Sequence, residues 1–207
     1  MNKSKIIIGS RGSKLAILYA EKAKKSILNK YPDLNKSFID IKIIKTSGDI
    51  YHSKNLSEIG GKGLFSKQIE EELLDKKIDI AVHALKDLPS IETKDLETKV
   101  FLKRNDPRDV FISLNYKSIN DLKSNSVIGT SSFRRSAQLN VLRKDIKINF
   151  IRGNVDTRIK KLEQNEFDAI VLSYAGIKML NLERKVSQVF SEEEILPSVG
   201  QGVIALQ

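Results

Sequence analysis

Ile78-Asp79-Ile80-Ala81-Val82 reads as a short buried strand following a helical pattern, and Phe167-Asp168-Ala169-Ile170-Val171 has the same character in the second half of the chain. A second pair of segments matches in the same way. Ile8-Gly9-Ser10 runs into a helix, and so does Ile128-Gly129-Thr130-Ser131. Each half therefore presents a strand end, a glycine, hydroxyls and a helix amino terminus, whose first N–H groups lack partners within the helix and favour anions. The weak duplication predicts two similar α/β domains facing each other across an active-site cleft.

Further strands are predicted by β-branched runs at 5–9, 39–45, 78–83, 109–113, 126–129, 146–151 and 168–172. Helical spacing is clearest over 13–30, where Leu15, Leu18, Tyr19, Ala23 and Ile27 form one apolar stripe, and recurs over 64–77, 132–142 and 154–165. Alternating strands and helices imply largely parallel sheets. Lys103-Arg104-Asn105-Asp106-Pro107 breaks both periodicities and is the expected division between domains. Residues 46–63, with Gly48, Gly60, Gly61 and Gly63, read as coil, and a loop that long in a compact domain is usually functional or mobile.

The chain has 207 residues, 40% hydrophobic and 30% charged, which is too apolar for a disordered protein. Its apolar runs fall far short of the roughly 18–20 residues that cross a bilayer. The opening stretch Ile6-Ile7-Ile8 is likewise shorter than the roughly 7–15 apolar residues of a secretory signal, so a cytoplasmic protein without membrane contact is expected. No cysteine is present, which removes disulfides, thiolate metal sites and cysteine nucleophiles. With only His52 and His83 available, no metal site is expected either.

The formal charge of +10 invites a nucleic-acid reading. Its distribution argues against one, because the lysines mix with acids on polar faces such as Glu70-Glu71-Glu72-Leu73-Leu74-Asp75-Lys76-Lys77. The nine arginines are more telling. Five of them fall in three short segments: Arg11 in Gly9-Ser10-Arg11-Gly12-Ser13, Arg134 and Arg135 in Ser131-Ser132-Phe133-Arg134-Arg135, and Arg152 and Arg158 in Arg152-Gly153-Asn154-Val155-Asp156-Thr157-Arg158. A guanidinium grips a carboxylate or phosphate through two parallel hydrogen bonds, which lysine cannot do. These arginines look placed for anions.

Ala81-Val82-His83-Ala84-Leu85-Lys86-Asp87-Leu88-Pro89 carries a buried strand out into a Lys-Asp pair before a proline turn. The carboxyl ends of parallel strands are where α/β proteins place their sites. A carboxylate among cations can stabilise developing positive charge and move a proton. His83 reads as a packed core histidine. Neither Gly9-Ser10-Arg11-Gly12-Ser13-Lys14 nor Gly60-Gly61-Lys62-Gly63 has the spacing of a nucleotide phosphate loop.

Together, Ser10-Arg11-Gly12-Ser13, Gly60-Gly61-Lys62-Gly63-Leu64-Phe65, His83-Ala84-Leu85-Lys86-Asp87, Asp106-Pro107-Arg108-Asp109, Gly129-Thr130-Ser131-Ser132-Phe133-Arg134-Arg135, Arg152-Gly153-Asn154 and Pro197-Ser198-Val199-Gly200-Gln201-Gly202 resemble the hydroxymethylbilane synthase (porphobilinogen deaminase) family. The resemblance runs from residue 5 to residue 207. It implies an enzyme of tetrapyrrole and heme biosynthesis, a monomer that joins four porphobilinogen units into hydroxymethylbilane and releases ammonia. The chain grows on a dipyrromethane cofactor held by a cysteine in a third domain. The domains would resemble the lobes of periplasmic solute-binding proteins, with domain 1 over 1–103 plus 200–207 and domain 2 over 104–199. The third domain is expected to be absent from this chain, and the anchoring cysteine with it.

By the same resemblance, Asp87 is the catalytic carboxylate, stabilising positively charged pyrrole nitrogens and assisting proton transfer. Lys86, Ser132, Arg134, Arg135 and Arg158 hold the cofactor's carboxylates. Arg11, Ser13 and Arg152 bind porphobilinogen or the growing chain, and Lys62 lies in a mobile loop. Two positions depart from the family pattern: Ala84 stands where serine is usual, and Met179 where a substrate-binding arginine is usual. A non-catalytic binding protein for a carboxylated pyrrole is the alternative reading.

Overall fold

The computed structural model describes residues 5–50, 63 and 65–207. In chain order the elements are β1 (Ile6–Arg11), α1 (Lys14–Lys30), β2 (Ile39–Ile44), α2 (Ser47–Ile50), α3 (Lys67–Leu74), β3 (Ile80–Ala84), β4 (Val100–Phe101), β5 (Asp109–Ile112), β6 (Val127–Gly129), α4 (Phe133–Leu142), β7 (Lys147–Asn149), α5 (Val155–Glu163), β8 (Ala169–Ser173), α6 (Tyr174–Met179), β9 (Gln188–Val189) and β10 (Ile204–Leu206). They form two compact units: Met1–Arg104 with Val203–Gln207, and Asn105–Gly202.

Each unit holds one five-stranded sheet, in the order β2-β1-β3-β10-β4 in unit 1 and β7-β6-β8-β5-β9 in unit 2. Position for position the two orders correspond. In unit 1, β1 pairs in parallel with β2 and β3, while β10 runs antiparallel to β3 and β4. In unit 2, β6 pairs in parallel with β7 and β8, and β5 runs antiparallel to β8 and β9. The sheets are therefore mixed rather than largely parallel. The antiparallel strand in each is the one the chain enters directly on arriving from the other unit, so no crossover helix turns it round.

The duplicated segments have matching physical roles. Asp79 accepts the Ile7 N–H through Oδ2 at 2.7 Å, and Asp168 accepts the Val127 N–H at the same distance. The glycines match as well. A side chain on Gly9 would run into Ile78, and one on Gly129 into Phe167, so each strand passes tightly beside the residue preceding its aspartate.

The central strands of unit 2 are buried almost throughout, as a sheet covered on both faces requires, and successive side chains alternate between two cores. Phe111, Ala169 and Val171 join a core with Leu139 of α4 and Phe190, whose ring meets Phe111 edge to face at 6.4 Å. Val110, Ile112, Ile170 and Leu172 face a second core with Ile159 and Leu162 of α5 and Ile177 of α6. In unit 1, Ile44, Ile69, Ile78 and Ala81 pack together under α3.

Most strands and helices lie within a residue or two of their expected limits. The structure adds the two-residue edge strands β4 and β9, the six-residue helix α6, and a helical turn, α2, at the start of the stretch read as coil. Residues 51–62 of that stretch, including Lys62, lie outside the described residues.

Candidate functional site

In unit 1, β1 ends at Arg11 and α1 begins three residues later. Ser13 caps this helix, its Oγ accepting the Ala16 N–H at 3.3 Å, and the buried Ser10 hydroxyl donates to the Ala16 carbonyl at 3.0 Å. A hydroxyl that accepts at a cap still has its own proton to donate. The Arg11 guanidinium lies 4.1 Å from the centre of the Phe65 ring, a cation–π contact that directs the side chain.

β3 carries His83 in the interior and delivers Lys86 and Asp87 on the single helical turn Leu85–Asp87 that follows. His83 is buried, with Nε2 3.1 Å from Oε1 of Gln207, and burial pushes its pKa down to about 4, so it is neutral at neutral pH. Lys86 and Asp87 are exposed. They border a cavity of about 310 Å³ together with Gly63, Leu88 and Ser90. The Asp87 carboxylate also acts on Tyr19, whose phenol is pushed up to about 12 by burial first and by that negative charge second. Ala84 pairs with Ile204 in the ladder between β3 and β10.

In unit 2, Ser132 caps α4 by accepting the Arg135 N–H at 3.4 Å. The two arginines that follow converge on Asp109. Arg134 donates from an NH2 group to Oδ2 at 2.6 Å, and Arg135 donates to Oδ1 at 2.7 Å. Their other terminal nitrogens bond to the carbonyls of Leu196 at 2.5 Å and Val171 at 3.1 Å. Burial alone would raise the Asp109 carboxyl, but the two guanidiniums outweigh it and hold the group below its usual range.

Arg152 and Arg158 flank a tight turn at Gly153. There φ is +108°, and an added side chain would strike Thr157, so glycine is required. The Gly153 carbonyl accepts from Nε of Arg158 at 2.8 Å. Arg158 is lowered to about 10, by burial first and then by the positive charges of Arg135 and Arg152. Among the described residues, no carboxylate pairs with Arg158. Arg158 thus feels two neighbouring guanidiniums, and an anion beside it would offset their charge.

Unit 1 gathers Arg11, Ser13, Lys86 and Asp87 on neighbouring elements, and unit 2 gathers Ser132, Arg134, Arg135, Arg152 and Arg158. At Met179 the neighbouring Lys178 is already engaged: Nζ lies 3.8 Å from Asp106 and 4.3 Å above the Tyr174 ring. Sequence reasoning missed Asp109 and Gln201 as hydrogen-bonded partners of this cluster. The available signal was a lone acid opening the apolar run Val110-Phe111-Ile112, where a buried charge needs a partner. Among the described residues, no group of three His, Asp or Glu side chains is arranged to hold a metal ion, and no helix is long and apolar enough to cross a membrane.

A family model described as "Porphobilinogen deaminase, dipyromethane cofactor binding domain" matches residues 6–207. The chain is 49% identical over 203 residues to the porphobilinogen deaminase of Rickettsia typhi, covering 98% of this chain and 67% of that protein. It is 44% identical over 205 residues to the porphobilinogen deaminase of Chlorobium phaeovibrioides, covering 99% of this chain and 64% of the relative. The chain thus spans about two thirds of the length of the curated relatives it matches. Among solved structures it is similar to a putative methionine-binding lipoprotein from Bacillus subtilis, with a TM-score of 0.55 and 15% identity over 100% of this chain and 84% of that one. A periplasmic substrate-binding protein of an ABC transporter from Coxiella burnetii gives 0.54 and 16%, over 97% and 83%. Those two likenesses establish the fold: α/β units of the solute-binding-protein kind.

Proposed function

Because the chain belongs to the porphobilinogen deaminase family, we propose that its two units supply the acid and the carboxylate-binding cations of an enzyme that joins porphobilinogen units into hydroxymethylbilane with release of ammonia. The observation that supports this most is Arg158, which pairs with no carboxylate among the described residues and feels the positive charges of Arg135 and Arg152. Porphobilinogen carries an acetate and a propionate, so each pyrrole ring brings two negative charges to such a cluster.

The same donor set suits a dipyrromethane group, and Lys86, Ser132, Arg134, Arg135 and Arg158 would hold its carboxylates. When bound, that group supplies the carbon on which the product chain is extended. The 207 residues contain no cysteine to tether it. Arg11, Ser13 and Arg152 bind the incoming substrate, Ser13 by donating the hydroxyl proton that its cap leaves free. Arg134 is oriented at both terminal nitrogens and needs no reorganisation when a carboxylate arrives.

Asp87 is the acid that meets positive charge. Standing exposed at the end of a buried strand, it can place a carboxylate oxygen against a pyrrole N–H, stabilise that nitrogen as it becomes cationic, and hold a proton while ammonia leaves. Tyr19 keeps its phenolic proton at neutral pH and stays uncharged beside the carboxylate. By resemblance, Lys62 belongs to the family's mobile loop. This reading places the reaction in the cytoplasm, in a monomer that takes a small molecule and neither nucleic acid nor membrane.

Calorimetric titration of the 207-residue chain with porphobilinogen tests the reading. Saturable binding is expected, weakened about tenfold or more by Arg158→Leu, the loss of one charge-assisted pair. Asp87→Asn should leave binding within about twofold of wild type, since Asp87 is assigned to the reacting charge. Ammonia released by wild type and not by Asp87→Asn would support the catalytic assignment, and binding without ammonia from either would mark these residues as the binding part alone. Failure of the wild-type chain to bind at millimolar porphobilinogen would overturn the reading.

A further inference from the structure

Asp109 opens β5 with none of its surface exposed, yet three donors, two from α4 and one from Gln201, meet on its carboxylate. Arg134 takes Oδ2 at 2.6 Å, and Arg135 takes Oδ1 at 2.7 Å. Gln201 approaches the same Oδ1 through Nε2 at 2.9 Å while also donating to the Pro107 carbonyl at 2.5 Å. Gln201 is itself 1% exposed, so the amide is locked in place and anchors the carboxylate independently of the arginines.

Successive residues on a helix project about 100° apart, so Arg134 and Arg135 have no intrinsic reason to converge. Here they meet on one carboxylate, and each is fixed at its other end by a backbone carbonyl. The plane of each guanidinium is thereby set, and with it the direction of every N–H still free to meet a ligand. Arg135 adds to the field at Arg158, so its placement reaches the rest of the cluster.

We infer that Asp109, steadied by Gln201, is the positioning residue of the cation cluster, setting the directions of Arg134 and Arg135 and so how tightly unit 2 holds a ligand's carboxylates. The inference rests on the reading of unit 2 as the carboxylate-binding half. It opposes what charge alone predicts. A negative group beside an anion site weakens binding by simple Coulomb repulsion, so on that account its removal tightens binding. As a positioning residue, Asp109 has the reverse effect: without it the two guanidiniums repel, part, and lose their common geometry.

The experiment compares wild type, Asp109→Asn and Gln201→Leu in the full 207-residue chain, with inorganic sulfate and porphobilinogen as separate calorimetric probes at constant ionic strength. Circular dichroism and unfolding midpoints establish which variants are folded. Folded Asp109→Asn is expected to bind both probes about tenfold more weakly or worse, while unchanged or tighter binding overturns the inference. If Asp109→Asn does not fold, Gln201→Leu decides, because it keeps every charge and removes only the anchor. A loss of about threefold or more is then expected, and unchanged affinity overturns the inference. Wild type that binds sulfate but not porphobilinogen would defeat the functional reading while leaving the variants readable on sulfate, and wild type that binds neither defeats both.

Discussion

Asp87 in unit 1 and Asp109 in unit 2 are both carboxylates at strand ends of corresponding sheets, and their surroundings are opposite. Asp87 follows β3 on an exposed turn beside a cavity. Asp109 begins β5 in complete burial, gripped by Arg134, Arg135 and Gln201. The scaffold supplies the positions, and solvation sets the use. An acid that must meet a charge developing on a substrate has to be reachable, whereas one that orders cations works best where water cannot compete.

Alanine at each of the two acids tests that division most severely. Asp109→Ala strands two guanidiniums, one on a side chain only 8% exposed, and should cost about 3–5 kcal/mol of stability, as breaking a buried ion pair does. Asp87→Ala, at an exposed position, should change stability by no more than about 0.5 kcal/mol. Urea midpoints of the two variants decide the matter, and similar losses from both would erase the contrast.

Acid should separate the units in the other direction. His83 has a folded pKa of about 4 against an ordinary 6.5, so the unfolded chain takes up the proton first. Stability contributed by unit 1 is then lost as pH falls from 6.5 towards 4, by up to about 3 kcal/mol. Asp109 has a folded pKa below 3.8, so its contribution stays intact above that value and is lost only as pH falls further, through the folded pKa. Hydrogen exchange followed through β3 and β5 as pH is lowered should show protection failing first in β3, and His83→Gln should remove the early loss. Simultaneous failure of both strands would break the distinction.

The features legible in the sequence were those that repeat or cluster. Ile8-Gly9-Ser10 and Ile128-Gly129-Thr130 announce two like sheets because the same short pattern of isoleucine, glycine and hydroxyl stands before a helix in each half. The five arginines stand out because they cluster in three short segments, a pattern visible without the fold, and their reading as anion-binding groups is part of the proposal. β4 and β9 were not legible, because two residues carry no alternation, and α6 is shorter than two helical turns. Asp109 stayed hidden because its partners lie 25 and 26 residues on, brought to it only when α4 packs against the sheet. His83 read correctly as a core residue, whereas its tie to Gln207 spans 124 residues and depends on β10 returning to pair with β3.

The likeness of the two units has a test of its own in Asp79 and Asp168. Both accept the backbone N–H of the neighbouring strand's start at 2.7 Å, and both return their own N–H to that strand at 2.9 Å. A carboxylate on a strand N–H is a charge-assisted bond, worth about 1–2 kcal/mol when partly screened. Asp79 is exposed and Asp168 half-buried, so the same substitution, Asp→Ala, should cost less at 79 than at 168. Both losses should be smaller than that of Asp109→Ala, because neither leaves a buried cation behind. Unfolding midpoints measured on the two variants check the ranking. A larger loss at 79 would mean that the shared clasp carries unequal loads, and that the two sheets, alike in strand order, are stabilised by different means.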